Sequence, residues 1–98
     1  MGIIKPNNYT EKELTVAQVA DALSHPLRTR IICMLHENHF LRNVDLADLF
    51  KLTKPTISNH LYKLKSAGLI EYSYHTHFYE IRLNSDRLQI IRKFIDFE

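Results

Sequence analysis

A lysine-rich segment without carboxylates is the first feature of this sequence that could do chemistry. The stretch between Asp48 and Glu71 holds no acidic residue and four lysines, Lys51, Lys54, Lys63 and Lys65. Because the 98-residue chain has a formal net charge of only +2 at pH 7, this positive charge is local. A local basic patch is typical of surfaces that bind phosphate groups. The alternative is a solvated helix face without a ligand, and charge alone does not separate the two.

Three side chains of metal-binding type lie earlier in the chain. Cys33, His36 and His39 recur at every third residue, so they could surround a soft metal ion if one helix continued to His39. We expect that helix to end near His36, so the three residues are interpreted as scattered surface side chains. We therefore predict no metal site and no cofactor. As the only cysteine, Cys33 cannot form an internal disulfide, but it lies opposite an apolar stripe, where oxidants could reach it.

Length and composition restrict the class of protein. A chain of 98 residues, 45% of them hydrophobic and two of them glycine, is typical of one folded, helix-rich domain spanning residues 1–98. Residues 1–9 are expected to form a disordered arm. No apolar run is long enough to cross a membrane and no secretion signal is recognisable, so we expect a cytoplasmic protein. The sequence has no nucleophile elbow, phosphate loop or paired carboxylates, which argues against an enzyme.

Two helices are predicted ahead of the lysine-rich segment. Thr10 and Glu13 have the spacing of a capping box and predict a first helix over residues 11–23. Pro26 suits the first turn of a second helix over residues 26–36, because its missing N–H would be unpaired there in any case. The buried stripe of the second helix is predicted to consist of Leu27, Ile31, Met34 and Leu35.

The lysine-rich segment itself is predicted to form a short helix, a turn and a longer helix. Asn43 is expected to cap the short helix, and its inward residues are expected to be Leu46, Leu49 and Phe50. Thr53 is the expected N-cap of the next helix and Pro55 lies in its first turn. Gly68 follows its end, where a left-handed residue is common.

This fourth helix has two chemically different faces at about 100° per residue. Its inner face comprises Ile57, Leu61 and Leu64, and its outer face comprises Thr56, Asn59, Tyr62, Lys63 and Ser66. Side chains of the outer face can bind base edges and phosphates. A polar, basic second helix after a tight turn predicts a helix-turn-helix. His60, at the rim of the inner face, is interpreted as a packed, hydrogen-bonded histidine.

The period of the sequence changes from 3.6 to 2 after Gly68. The segments "LIEYSY" and "FYEIRL" alternate as strands do, and the tip between them is formed by His75, Thr76 and His77. This hairpin is a predicted wing. Helical spacing returns after a possible cap at Ser85, with an apolar arc formed by Leu88, Ile91, Phe94 and Ile95. Because that arc exceeds what one small core needs, residues 85–98 are predicted to be a dimerisation helix.

Two stretches resemble signatures of the ArsR/SmtB (arsenic-repressor) family. They are "ALSHPLRTRIICML", residues 22–35, and "LTKPTISNHLYKLKSAGLIE", residues 52–71, and the resemblance extends over residues 20–97. It implies a mainly α fold with a small β-hairpin wing, in the order α-α-α-α-β-β-α. It also implies a homodimer, paired through its first and last helices, that represses transcription at a palindromic operator in double-stranded DNA.

The resemblance also implies functional residues. DNA contacts fall on the start of the fourth helix, at Lys54, Pro55, Thr56, Ser58 and Asn59. The outer face and the wing add Tyr62, Lys63, His75 and His77. The dimer interface falls on the first and last helices, at Leu14, Ala17, Leu88, Ile91, Phe94 and Ile95. A second interpretation of the same fold is a protein-interaction module that has lost DNA binding.

The departures from the family pattern concern the signal and the wing. Where metal sensors of the family place a Cys-x-Cys pair, this chain has residues 42–44, "RNV", and where zinc sensors place Asp-x-His it has residues 86–88, "DRL". We therefore expect a regulator without the usual metal-sensing sites. The wing tip has histidines instead of Arg and Gly. Histidine is largely neutral above its ordinary pKa of about 6.5, which argues against insertion of the wing into the minor groove.

Overall fold

The computed structural model of the protein describes residues 8–96. Its elements, in chain order, are α1 (Glu11–Ala22), α2 (Pro26–Glu37), β1 (Leu41–Arg42), α3 (Asn43–Phe50), α4 (Lys54–Ser66), β2 (Ile70–Tyr74), β3 (Tyr79–Leu83) and α5 (Ser85–Ile95). Five helices with a small antiparallel sheet make a winged helix-turn-helix, which confirms the predicted fold class. Most of the predicted arm, residues 1–7, and the last two residues of the predicted terminal helix lie outside the described residues.

The first two helices begin as predicted. Thr10 Oγ1 accepts a hydrogen bond from the N–H of Glu13 at 3.1 Å, and the Glu13 carboxylate accepts from the N–H of Thr10 at 2.9 Å, so the capping box is confirmed. α2 begins at Pro26 behind His25, whose Nδ1 accepts from the N–H of Leu27 at 3.1 Å. α2 ends at Glu37 and therefore does not extend to residue 39.

The core is formed by α1, α2, α3, α4 and the sheet. Ile57, Leu61 and Leu64 are each 1% exposed or less, which confirms the predicted inner face of α4. They pack in one cluster with Ile31 of α2 and Ile81 of β3. The buried face of α4 holds the outer face in a defined orientation, because both belong to one rigid helix.

α3 differs from the prediction in two ways. Asn43 is not its cap, because its side-chain oxygen instead accepts a hydrogen bond from the N–H of Tyr79 at 2.9 Å, and Arg42 occupies the N-cap position. Leu49 is 59% exposed, so its predicted inward orientation is wrong. At 3.6 residues per turn, the buried side of α3, at residues 46, 47 and 50, lies roughly 100° away from Leu49.

The ends of α4 follow the sequence. Thr53 Oγ1 accepts from the N–H of Thr56 at 3.3 Å, which confirms the N-cap. Gly68 has φ of +76° and follows the C-cap, Ala67. Lys51 also has positive φ, +54°, in the turn between α3 and α4. This left-handed residue lets the chain turn within three residues, at a conformational cost for a non-glycine side chain.

The wing is a three-stranded sheet in the order β1-β3-β2. The β2–β3 hairpin is confirmed, with Ile70 opposite Leu83 and Tyr74 opposite Tyr79. β1 was not predicted, because two residues are too few to show a period of two. It pairs with β3 through Leu41 opposite Ile81.

α5 begins one residue after its true cap, Asn84, whose side-chain oxygen accepts from the N–H of Asp86 at 3.2 Å. Ser85, the predicted cap, is therefore the first helical residue. α5 packs mainly on α1, and none of its described residues is fully buried. Within residues 8–96, no helix has the length and apolar character that crossing a bilayer requires.

Candidate nucleic-acid interface

The exposed face of α4 carries most of the predicted DNA-binding side chains. Asn59, Tyr62, Lys63 and Ser66 are exposed, as are Lys54 and Pro55 in the first turn. Asn59, Tyr62, Lys63 and Ser66 lie on the opposite side of α4 from its buried face, so one helix presents them together. Their assignment as DNA contacts stays a prediction, and the structure supplies their geometry.

Two members of the set have partners inside the protein. Thr56 Oγ1 lies 2.9 Å from Thr53 Oγ1, and Ser58 Oγ lies 3.4 Å from the hydroxyl of Tyr79 in the wing. Within residues 8–96, the side chains of Asn59 and Lys63 form no hydrogen bond or ion pair. Their polar groups are therefore available to a ligand without breaking an internal contact.

The four lysines do not act as one patch. Lys65 Nζ lies 5.2 Å from the centre of the Tyr72 ring, so this cation is directed at the wing. Lys54 lies in the first turn of α4 and Lys63 in its last turn. Since α4 carries no carboxylate, nothing on this helix opposes a phosphate.

Three tyrosines join the wing to α4. The Tyr72 and Tyr79 ring centres are 4.6 Å apart, and Tyr74 lies 6.0 Å from Tyr72 and 5.8 Å from Tyr79. Burial is the main cause that raises the pKa of Tyr72 well above its ordinary value. The Tyr79 hydroxyl contacts Ser58, so this tyrosine cluster sets the position of the hairpin relative to α4.

The two predicted wing histidines differ in their surroundings. The His75 ring stacks on Phe78, with centres 4.7 Å apart, and its Nε2 lies 3.5 Å from the carboxylate of Glu80. Arg82 contacts the same carboxylate oxygen at 3.2 Å. His77 is exposed and has no ionic or ring contact within the part of the chain that the structure describes. Of the two, His77 is the more available to a ligand.

His60 does not join the outer face of α4. Its Nδ1 lies 3.2 Å from Nη1 of Arg28, and its ring packs 4.5 Å from the ring of His25, which confirms the packed, hydrogen-bonded interpretation. Sequence reasoning missed Arg28, which lies 32 positions away from His60. No periodic signal connects residues at that separation.

The side chains considered as possible metal ligands, Cys33, His36 and His39, are all exposed. Cys33 is exposed, as predicted, and α2 ends before residue 39. Among residues 8–96, no group of three or more His, Cys, Asp and Glu side chains is arranged to hold a metal ion.

The predicted dimer residues fall into two groups. Leu88 and Ile91 are partly buried and pack against the core of their own chain. Leu14, Ala17, Phe94 and Ile95 are exposed, Ile95 to 62%. A shallow groove of about 370 Å³ between α1 and α5 is lined by other residues of these helices, Glu11, Lys12, Thr15, Ile90 and Lys93. The second group is the surface that a partner subunit could cover.

Comparison with known proteins places this geometry in a family. The family model described as bacterial regulatory protein, arsR family, matches residues 25–72. An uncharacterized HTH-type transcriptional regulator of Methanocaldococcus jannaschii is 31% identical over 86 residues, which cover 88% of this chain and 97% of that relative. These relatives are transcriptional regulators and not enzymes.

Solved structures share the fold. An ArsR family transcriptional regulator superposes with a TM-score of 0.80 at 15% identity, covering 89% of both chains. A possible transcriptional regulator for arsenical resistance superposes with a TM-score of 0.70 at 28% identity, covering 81% of this chain and 80% of that one. Motifs, fold and relatives agree, and the chain belongs to the arsR family of winged helix-turn-helix transcriptional regulators.

Proposed function

We propose that this protein is a cytoplasmic, homodimeric repressor that binds a palindromic site in double-stranded DNA and lacks the usual metal-sensing sites of its family. The observation that carries the proposal is the exposed face of α4. It presents Asn59 and Lys63 without internal partners, on a helix that has no carboxylate and is anchored by a fully buried opposite face.

The dimensions of α4 suit the major groove. Its 13 residues make a rod about 20 Å long, and the groove, roughly 12 Å wide, admits one helix. Asn59 lies in the second turn, where an amide can form two hydrogen bonds with adenine. Lys63 lies one turn further along, where an ammonium group can reach the phosphate backbone.

The wing contributes less in this proposal. The tyrosine cluster and the Ser58–Tyr79 contact hold the hairpin beside α4. His75 is engaged with Phe78 and Glu80, so His77 is the tip residue that can approach the DNA backbone. The wing then adds a weak contact and little sequence specificity.

Dimerisation supplies the second half of the site. The exposed apolar residues of α1 and α5 are the proposed interface, and a two-fold axis there would present two copies of α4 to one face of the duplex. Binding to adjacent major grooves requires that the two helices lie one helical turn apart, roughly 34 Å.

The proposal is tested by selecting bound sequences from a pool of random duplexes and then titrating the selected site at several salt concentrations. We expect an inverted repeat and an affinity that falls as salt rises, because phosphate contacts release counterions. If neither selected nor random duplex binds at low salt, the proposal fails and the interaction-module alternative takes its place.

A further inference from the structure

A polar cluster connects the end of α1, the N-cap of α2 and α2 itself to α4. Arg28 of α2 donates from Nε to the carbonyl of Ala22 at 2.7 Å and from Nη2 to the carbonyl of Asp21 at 3.4 Å. Its Nη1 lies 3.2 Å from Nδ1 of His60 in α4. The His25 ring, at the N-cap of α2, packs against His60. These five residues are called the Arg28 junction.

The Arg28 junction requires one protonation state of His60. A guanidinium group can only donate hydrogen bonds, so Nδ1 of His60 must accept and the neutral ring must carry its proton on Nε2. If His60 binds a second proton, Nδ1 becomes a donor that faces another donor. The imidazolium would also stand beside the positive charge of Arg28.

The surroundings of His60 oppose its protonation. Partial burial, then His25, then Arg28 lower the pKa of His60 below its ordinary value. Arg28 and His25 are the titratable groups that face the ring from the α2 side, and Asp21, at the end of α1, contributes its main-chain carbonyl to Arg28. On α4 itself, Lys63 follows one turn later. Within residues 8–96, no carboxylate forms an ion pair with His60.

His60 also occupies a sensitive position on α4. It follows Asn59 directly, so a shift of this helical turn moves the residue proposed to read a base. α1 also makes a polar contact with α4 at the far end of that helix, where Gln18 Nε2 donates to the carbonyl of Ser66 at 3.2 Å. The Arg28 junction therefore holds the middle of α4, about two turns away from the Gln18 contact.

We propose that Arg28 and His60 are positioning residues that hold the turn of α4 around Asn59 in its DNA-binding position, and that protonation of His60 shifts this turn and weakens binding to duplex DNA. The inference rests on the proposed function. It makes DNA affinity fall in acid, and the fall occurs below the ordinary histidine pKa of about 6.5 because the folded protein disfavours the proton.

The test uses the full chain and the selected duplex, with affinity measured at constant ionic strength from about pH 5.5 to about pH 8, on either side of the ordinary histidine pKa. Asn has an acceptor oxygen near the place of Nδ1 and does not titrate, so His60→Asn should bind normally at the upper pH. In acid we expect wild type to lose on the order of tenfold more affinity than His60→Asn. His39→Asn is the matched control, since it removes an exposed histidine that lies outside both the junction and the proposed DNA-binding residues, and it should leave that acid loss in place.

A second measurement works without DNA. Amide NMR spectra of wild type should show shifts at residues 59–63 on acidification, and His60→Asn should not. If His60→Asn does not fold, Arg28→Lys takes its place. The lysine ammonium carries its donors on one nitrogen, so it cannot span the three acceptors that the planar guanidinium reaches, and this variant should shift the same amides at neutral pH. The inference would be overturned if the DNA affinities of wild type and His60→Asn changed in parallel with pH. It would also be overturned if the amides of residues 59–63 in wild type did not shift on acidification. If wild type does not bind the duplex at any pH but still shows the acid-induced amide shifts that His60→Asn lacks, that result counts against the proposed function alone.

Discussion

α4 and α5 are two amphipathic helices of similar length on either side of the wing, and they meet the rest of the chain differently. α4 buries three apolar side chains completely and leaves polar side chains without internal partners. α5 buries none of its described residues completely, and at its end Ile95 is 62% exposed. Both helices are amphipathic, but α4 leaves polar groups without internal partners, whereas α5 leaves apolar side chains exposed.

The contrast between α4 and α5 shows that the side chains a helix leaves without internal contacts indicate the chemistry of the partner it can bind. Exposed amide and ammonium groups match base edges and phosphates, whereas exposed Phe and Ile side chains match another apolar surface. In the proposed dimer, a second copy of the chain covers the apolar surplus on α5. Substitutions on the two helices should therefore change different measured quantities.

The largest effect is expected from truncation in the core face of α4. Leu61→Ala should lower the free energy of unfolding by about 2–5 kcal/mol, because it leaves a cavity in a fully buried site. Leu88→Ala on α5 should cost clearly less, since that side chain is partly buried. Leu49→Ala, the same change at an exposed site, should stay within about 0.5 kcal/mol. Urea unfolding measures all three, and equal losses for Leu61→Ala and Leu88→Ala would contradict the comparison.

Dimerisation should respond next. Ile95→Asp should raise the dimer dissociation constant at least about a hundredfold, roughly 2.7 kcal/mol, because two-fold symmetry brings two copies of the new carboxylate into an apolar interface. Gln89→Asp adds the same charge at an exposed polar position of α5 and serves as the control. Sedimentation at several concentrations measures the equilibrium. A wild-type chain that stays a folded monomer at micromolar concentration would refute the dimer.

Asn59→Ala should reduce specificity. We expect a loss of about 1–3 kcal/mol on the selected site and much less on random duplex, because only the former offers the matching base. Paired titrations on both duplexes give the difference. Should both affinities fall by the same factor, Asn59 does not read sequence.

Lys63→Ala should weaken both duplexes by similar factors. It should also lower the slope of log affinity against log salt by about 0.9 for each phosphate that the lysine neutralises in the wild-type complex. Lys93→Ala, which removes an exposed lysine from α5, is the matched control and should leave the slope unchanged. A slope that changes with Lys93 but not with Lys63 would reverse the assignment of the two helices.

Metals should have the smallest effect. Because the family's thiolate and histidine ligand positions hold other residues here, zinc, cadmium or arsenite should change DNA affinity by less than a factor of about ten, or ~1.4 kcal/mol. The measurement is a DNA titration with and without micromolar metal. If a stoichiometric site coupled to DNA release is found, Cys33→Ser and His36→Ala identify its ligands.

The sequence by itself determined the helices, their order and the two faces of α4. These features are local: Thr10 with Glu13, Thr53 and Gly68 act on backbone within a few residues, and apolar side chains at helical spacing select the buried face. The outer face of α4 was predictable for the same reason. Because α4 is more than three turns long, burial of its inner face leaves little freedom in the direction of its outer face.

Only the tertiary structure decided which side chains are free. Asn43 binds the wing instead of capping α3, Leu49 faces outward on a helix of two turns, and β1 is too short to have a pattern. The Arg28–His60 contact joins residues 32 positions apart. The path of the chain between two such residues depends on every turn and packing contact in between, so local propensity carries no information about which distant groups will meet.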